Sequence, residues 1–248
     1  MAGKAIDPIH QFEIQRLIPI KIGDLDLSFT NSALMMVIAV GLVTLFLTMS
    51  VRGREIVPGR MQSLAEVFYE FIANMLRDNV GSEGRKYFPF IFSLFMFVLF
   101  GNLLGMIPFS FTYTSHIIVT FALALTVFIG VTVIGFARHG TKFFGMFFPH
   151  GAPIATAPIL IPIELISYLS RPISLAVRLF ANMTVGHILL KVMAGFTVMM
   201  GSFYVIPGVL PFALLSGITV LEFGIAVLQA YVFTILSCIY LNDAIHMH

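Results

Sequence analysis

Eight ionisable or amide side chains interrupt the two long apolar stretches near the end of this chain: Glu164, Arg171, Arg178, Asn182, His187, Lys191, Glu222 and Gln229. Glutamate and histidine can exchange protons, whereas arginine stays protonated at any physiological pH. An ionisable group deep in a bilayer costs about 2.5–3.5 kcal/mol on insertion scales. Each such group must therefore face protein or a water-filled path, or reach an interface on a long stem. The plainest chemistry is a structural ion pair between two helices. Snorkelling to an interface suits Arg171 and Lys191 better than a pathway role. The alternative is a proton path, and the levels and order of the groups favour it.

In an antiparallel helical hairpin, residues at one height share a midpoint in residue number. Arg178 with Gln229 has its midpoint at 203.5, and His187 with Glu222 at 204.5. Both fall within a turn predicted independently from Gly201, Pro207, Gly208 and Pro211. On the same register Glu164 lies level with residue 244, beside Asp243 and His246. His187 and Glu222 then lie roughly 10–13 Å from Arg178 toward the turn, and Glu164 roughly 20 Å from it the other way. Exchangeable groups flank one permanent cation on both sides, as two half-paths with an electrostatic barrier between them would require. Arg171, Arg178 and Asn182 are separated by 7 and 4 residues and share a helical face. The small residues Ser174, Ala181, Gly186 and Gly224 are expected to allow close helix approach.

The elements that position these groups follow from composition. Of 248 residues, 58% are hydrophobic and 10% charged, with mean hydropathy +0.98. Soluble domains carry about 25% charged residues, so a soluble globular protein and a disordered chain are both excluded. A net charge of +2 on so apolar a chain gives no reason to expect nucleic acid as a partner. The single cysteine, Cys238, excludes an internal disulfide framework. What remains is an all-α polytopic membrane protein. Residues 1–86 hold 18 of the charges and residues 87–248 only 8, so the N-terminal third has access to water and headgroups.

About five membrane-crossing helices and one amphipathic helix are expected in a single integral membrane domain. Residues 1–30 form a polar N-terminal segment without the apolar core of a signal peptide. Residues 31–51 form the first span, ending at Arg52, Arg54 and Arg60. Residues 60–80 place Leu64, Val67, Phe68, Phe71, Ile72, Met75 and Leu76 on one face, an amphipathic helix at the interface. Residues 88–138 form a hairpin of two spans, 88–109 and 116–137, with an uncharged turn at Ser110–Ser115, and residues 143–157 read as a loop or interfacial segment. Residues 158–240 form a long hairpin whose arms, about 43 and 32 residues, would measure ~64 Å and ~48 Å. Neither stands upright in a ~30 Å core, so the arms must tilt strongly or bend, as Pro158, Pro162 and Pro172 permit. Arg52, Arg60, Arg85, Lys86, Arg138 and Lys142 mark the inner side, which puts the N-terminus outside and the C-terminus inside.

Three stretches carry a family resemblance. The run Arg171-Pro-Ile-Ser-Leu-Ala-Val-Arg-Leu-Phe-Ala-Asn-Met-Thr-Val-Gly-His187 resembles the signature of subunit a of F-type ATP synthases, and Leu221 to Leu236 is similar to its second signature. Gly101-Asn-Leu-Leu-Gly-Met-Ile-Pro108 is similar to a third stretch. The resemblance implies a proton-conducting stator of the Fo membrane sector, with the long hairpin against a ring of c subunits that each carry a carboxylate. Arg178 matches the essential arginine, Asn182 and Gln229 the polar residues beside it, and His187 and Glu222 the acid/imidazole pair of the outer half-channel. Glu164 matches an acidic position near the inner half-channel. Asn102, Asp243 and His246 are weaker candidates.

The resemblance also implies partners: the c-ring, b-type peripheral-stalk subunits and the rest of the synthase, in a bacterial plasma membrane or an organelle's inner membrane. The chain shows no glycine-rich phosphate loop, so no nucleotide site or catalysis of its own is expected. No cofactor and no metal are expected either. The competing readings are a stand-alone ion channel or secondary transporter using the same cluster, and a purely structural scaffold. No internal repeat supports the transporter, and a scaffold leaves the order of the charges unexplained.

Overall fold

The computed structural model describes residues 12–19, 21–22, 25–26, 28–52, 57–107, 110–147, 156–203 and 205–246. Arg54, Pro108 and most of the 143–157 segment fall outside them. Six α-helices are described: α1 (Asn31–Arg52), α2 (Arg60–Val80), α3 (Phe88–Gly105), α4 (Ile117–His139), α5 (Ala157–Phe203) and α6 (Val205–Ile245). Five helical segments are long and apolar enough to cross a membrane, and α2 is not among them. The protein is an all-α polytopic membrane protein.

Local chemistry explains most boundaries. The Thr30 hydroxyl accepts a hydrogen bond from the Ala33 N–H at 3.3 Å, an N-cap for α1. The Asn31 side chain accepts from the Gln15 N–H and donates to the Glu13 carbonyl, tying the preceding segment to the helix. That segment forms two antiparallel ladders, β1 (Arg16–Ile18) with β4 (Phe29–Thr30) and β2 (Lys21–Ile22) with β3 (Leu25–Asp26). Ladders of two and three residues are too short to leave an alternating pattern, so the sequence did not announce them.

The amphipathic helix α2 buries Ile72, Met75, Leu76 and Val80, at the spacing of one helical face. It stops at Gly81, whose N–H donates to the Arg77 carbonyl at 3.0 Å. Gly81 has φ 79° and ψ −161°, a backbone region essentially closed to residues with a Cβ. Helix α3 ends at Gly105, four residues before the expected boundary. Ile107 precedes Pro108, and the residue before a proline is pushed out of helical conformation.

The two arms of the last hairpin are longer than expected. At 1.5 Å per residue, α5 measures ~70 Å and α6 ~62 Å. The expected broad turn shrinks because Pro207 lies in the first turn of α6, where a missing N–H costs no intrahelical bond. Pro162 and Pro172 lie inside α5 and Pro211 inside α6, each removing one bond of the helical ladder.

The chain divides into two compact units. The first comprises Met1–Leu45, Met96–His116 and Leu179–Ala230. The second comprises Phe46–Phe95, Ile117–Arg178 and Tyr231–His248. Within the second unit, Arg138 at the end of α4 pairs with Glu83 just before α3. His139 meets the Ile245 carbonyl at 3.2 Å. The start of α3 and the ends of α4 and α6 therefore lie on one side, the side the basic residues mark. Gly81→Ala is expected to destabilise the protein by about 1–3 kcal/mol, the cost of a residue held in a glycine-only conformation. Reversible unfolding in mixed detergent micelles measures it, and an unchanged midpoint would contradict the assignment.

Candidate functional site

Two pairs among the groups singled out by type and spacing are in direct contact, one in each unit. The first lies in the first unit. His187 on α5 and Glu222 on α6 are in direct contact through Nδ1 and Oε1, with the residues 8% and 2% exposed. Of the level pairs expected from residue numbers, this one is a contact. Gly186 makes it possible: a Cβ there would lie 2.7 Å from Glu222 Oε1. Gly224, also expected to allow close approach, faces open space instead.

The other ring nitrogen of His187, Nε2, lies 2.8 Å from Thr112 Oγ1 and 3.0 Å from the Gly105 carbonyl. Asn102 is fully buried and donates from Nδ2 to the Ala226 carbonyl of α6 at 2.9 Å. Among the described residues, Asn102 Oδ1 and Glu222 Oε2 are buried without a hydrogen-bond partner. Gln229 is buried in the same unit, and Asn182 and Lys191 are partly buried on α5. His116, between α3 and α4, has its pKa lowered by burial.

The second pair lies in the second unit. Arg171 Nη1 donates to Asp243 Oδ2 at 2.9 Å. Its guanidinium also lies 5.4 Å from the Tyr168 ring centre and 5.2 Å from that of Tyr240, and Thr132 bonds the Tyr168 hydroxyl at 2.7 Å. Arg171 is therefore a structural clamp between α5 and α6. It also takes Asp243, which the residue-number register had placed beside Glu164. The pair Arg171–Asp243 has its midpoint near 207, a drift of more than two residues from that of His187–Glu222. Pro172 sits in α5 next to the clamp, and the long arginine side chain can reach across such an offset. Glu164 is partly buried on α5, His246 is exposed and bonded to Asn242 at 2.8 Å, and Arg178 is exposed.

Thr112, the Gly105 carbonyl and the Arg171–Asp243 pair did not emerge from the sequence. Thr112 and Gly105 carry no charge, and their role needs a loop folded back on a helix. Arg171 and Asp243 are 72 residues apart, and their contact departs from the level that residue numbers assign.

Comparison with known proteins covers most of the chain. The family model described as ATP synthase A chain matches residues 33–242. ATP synthase subunit a of Paramagnetospirillum magneticum is 78% identical over 98% of this chain and 99% of its own length. That of Rhodospirillum rubrum is 65% identical over 97% and 99%, and that of Parvibaculum lavamentivorans 56% identical over 98% and 95%. The chain belongs to the ATP synthase A chain family, the subunit a family of the membrane sector.

Reversing either charge of the clamp, R171D or D243R, is expected to lower the chain's level in membranes roughly several-fold, the usual consequence of a loss of about 1–2 kcal/mol. The double reversal R171D/D243R recovers part of it. Quantitative blotting of membranes checks this, and equal levels in the single and double variants would remove the pair's structural role.

Proposed function

We propose that in this proton-conducting stator subunit Arg178 divides two offset half-paths that lead to and from the carboxylates of a c-ring. His187 and Glu222 serve the outer half-path, Gln229 and Asn182 lie beside the arginine, and Glu164 belongs to the inner half-path, with Asn102 close to the outer one. The ring, b-type stalk subunits and the remainder of the synthase are the partners, in a bacterial plasma membrane. The chain is non-catalytic. The observation that carries this reading is the buried contact between His187 and Glu222, two exchangeable groups with one carboxylate oxygen left open.

The exposure of Arg178 adds support. Val177, beside it on α5, is exposed and apolar, so this part of the helix surface lies against hydrocarbon or another protein. A cation facing lipid is costly, whereas one facing a partner's carboxylates is satisfied. A protonated ring carboxyl can face lipid and an ionised one cannot without heavy cost. Arg178 favours the ionised form as each ring site passes, so the proton leaves there. Its fixed charge also opposes direct proton leakage between the half-paths. One elementary charge crossing the membrane is worth about 2.3 kcal/mol per 100 mV, so several must be accumulated per nucleotide, as a rotating ring does. A match over nearly the whole chain to subunits of a synthase weighs against a stand-alone channel or transporter.

R178A is expected to abolish proton-driven ATP synthesis in reconstituted vesicles while the chain stays assembled. Normal synthesis in an assembled R178A complex would sink the mechanism. H187A and E222Q are each expected to slow synthesis by about a hundredfold, the lower end of what a placed proton-transfer group contributes. G186A, whose Cβ would push Glu222 off His187, is expected to fall in the same direction; wild-type rates in all three would remove the pair from the path.

A further inference from the structure

The segment between α3 and α4 does more than join them. Thr112, Tyr113, Thr114 and Ser115 are all buried, and three contacts seat the segment. The Tyr113 hydroxyl donates to the Phe97 carbonyl at 3.0 Å and occupies the space over Gly101, where a Cβ would lie 2.1 Å from it. Thr112 occupies the space over Gly105, where a Cβ would lie 2.4 Å from its methyl group. The Thr184 hydroxyl of α5 donates to the Ser115 carbonyl at 3.2 Å. Gly101 and Gly105, one helical turn apart, thus form a groove on α3 that admits a folded-back loop, as small residues four apart admit a neighbouring backbone elsewhere.

The seating has a chemical result at His187. A carbonyl oxygen only accepts, so the 3.0 Å contact with the Gly105 carbonyl requires a hydrogen on Nε2. The Thr112 hydroxyl donates to the same carbonyl at 3.3 Å, which leaves its lone pair to accept from Nε2–H at 2.8 Å. With Nε2 committed as a donor, neutral His187 has its free lone pair on Nδ1, the atom that faces Glu222 Oε1. One proton is then shared between Nδ1 and Oε1, held either as a carboxylic acid beside a neutral ring or as a carboxylate beside an imidazolium. The opposite tautomer would leave Nε2 without a hydrogen against a carbonyl and would block Nδ1 as an acceptor.

We propose that Thr112 is a positioning residue for proton uptake: with the Gly105 carbonyl it holds His187 as the Nε2–H tautomer and so keeps Nδ1 open to trade a proton with Glu222. This rests on the reading of His187 and Glu222 as part of the proton path. The titratable groups around His187 are Glu222 on α6, His116 in the loop, which shares the Phe12 ring as a neighbour, and Lys191 one turn along α5. Besides His116, the titratable group that residues 96–116 of α3 and the loop contribute is the Tyr113 phenol, which donates to the Phe97 carbonyl.

The test uses the whole synthase in vesicles, with ATP synthesis driven by an imposed gradient over a range of pH on the proton-feeding side. T112S keeps the hydroxyl and is expected to match the wild type in rate and pH midpoint. T112V removes one acceptor from Nε2–H, which also stabilises the imidazolium. It is expected to lower the rate about three- to tenfold, the range of one net hydrogen bond, and to move the midpoint to lower pH. A wild-type rate and midpoint in assembled T112V would overturn the proposal, as would equal losses in T112S and T112V with no shift of midpoint. If T112V fails to assemble, nitrogen-15 NMR of the wild-type synthase with labelled histidine decides, using H187Q to assign the signal. A hydrogen on Nε2 of neutral His187 supports the proposal and one on Nδ1 overturns it. H187A runs alongside: normal synthesis there would overturn the reading of the path itself, whereas a failure confined to the threonine variants leaves that reading standing.

Discussion

A carboxylate and an imidazole removed from water must satisfy each other, and the first unit is organised around that requirement. The contact of His187 with Glu222 needs α5 and α6 to approach closely, which Gly186 permits. It needs the far side of the imidazole ring to find acceptors, which the end of α3 and the loop after it provide through Gly105 and Thr112. It needs α3 and α6 held together, which Asn102 does through the Ala226 carbonyl. Each of these is a polar contact in an apolar surround, where an unpaired partner is costly.

The second unit handles its charges differently. Arg171 and Asp243 are partly exposed, with side-chain accessibilities of 28% and 35%, and the guanidinium lies between two tyrosine rings. An ion pair so placed is modest in energy but is fixed in geometry by its aromatic neighbours. Together with Arg138–Glu83 and His139 at the Ile245 carbonyl, it gathers charges at one end of the second unit. Arg178 is on the same helix, seven residues from Arg171, yet it is exposed. The contrast separates an arginine that holds two helices together from one that leaves its guanidinium accessible.

Much of this was legible because a bilayer permits so few solutions. Backbone groups must be satisfied within each segment, so long apolar runs become helices, and the expected spans match α1 to α6 within a few residues. The level of His187 with Glu222 followed from residue numbers because the two arms are antiparallel, α5 ending at Phe203 and α6 beginning at Val205. The same counting failed for Asp243, whose contact with Arg171 departs from the level that residue numbers assign. The turn between α5 and α6 was drawn too wide because proline was read as a breaker where it stands in a first helical turn. The ladders of the N-terminal segment were too short to show a period.

Composition and spacing alone determined that the chain is a helical membrane protein, roughly where its long helices lie, and which few charges need a function. They did so because the cost of burying charge and backbone acts on every residue independently of its neighbours in space. Only the tertiary structure decided what those charges touch. Thr112 meets His187 across 75 residues and Arg171 meets Asp243 across 72. No local energy term links such residues. Their pairing depends on a loop folded onto a glycine groove and on how two long helices pack, and both are properties of packed elements rather than of any stretch of sequence.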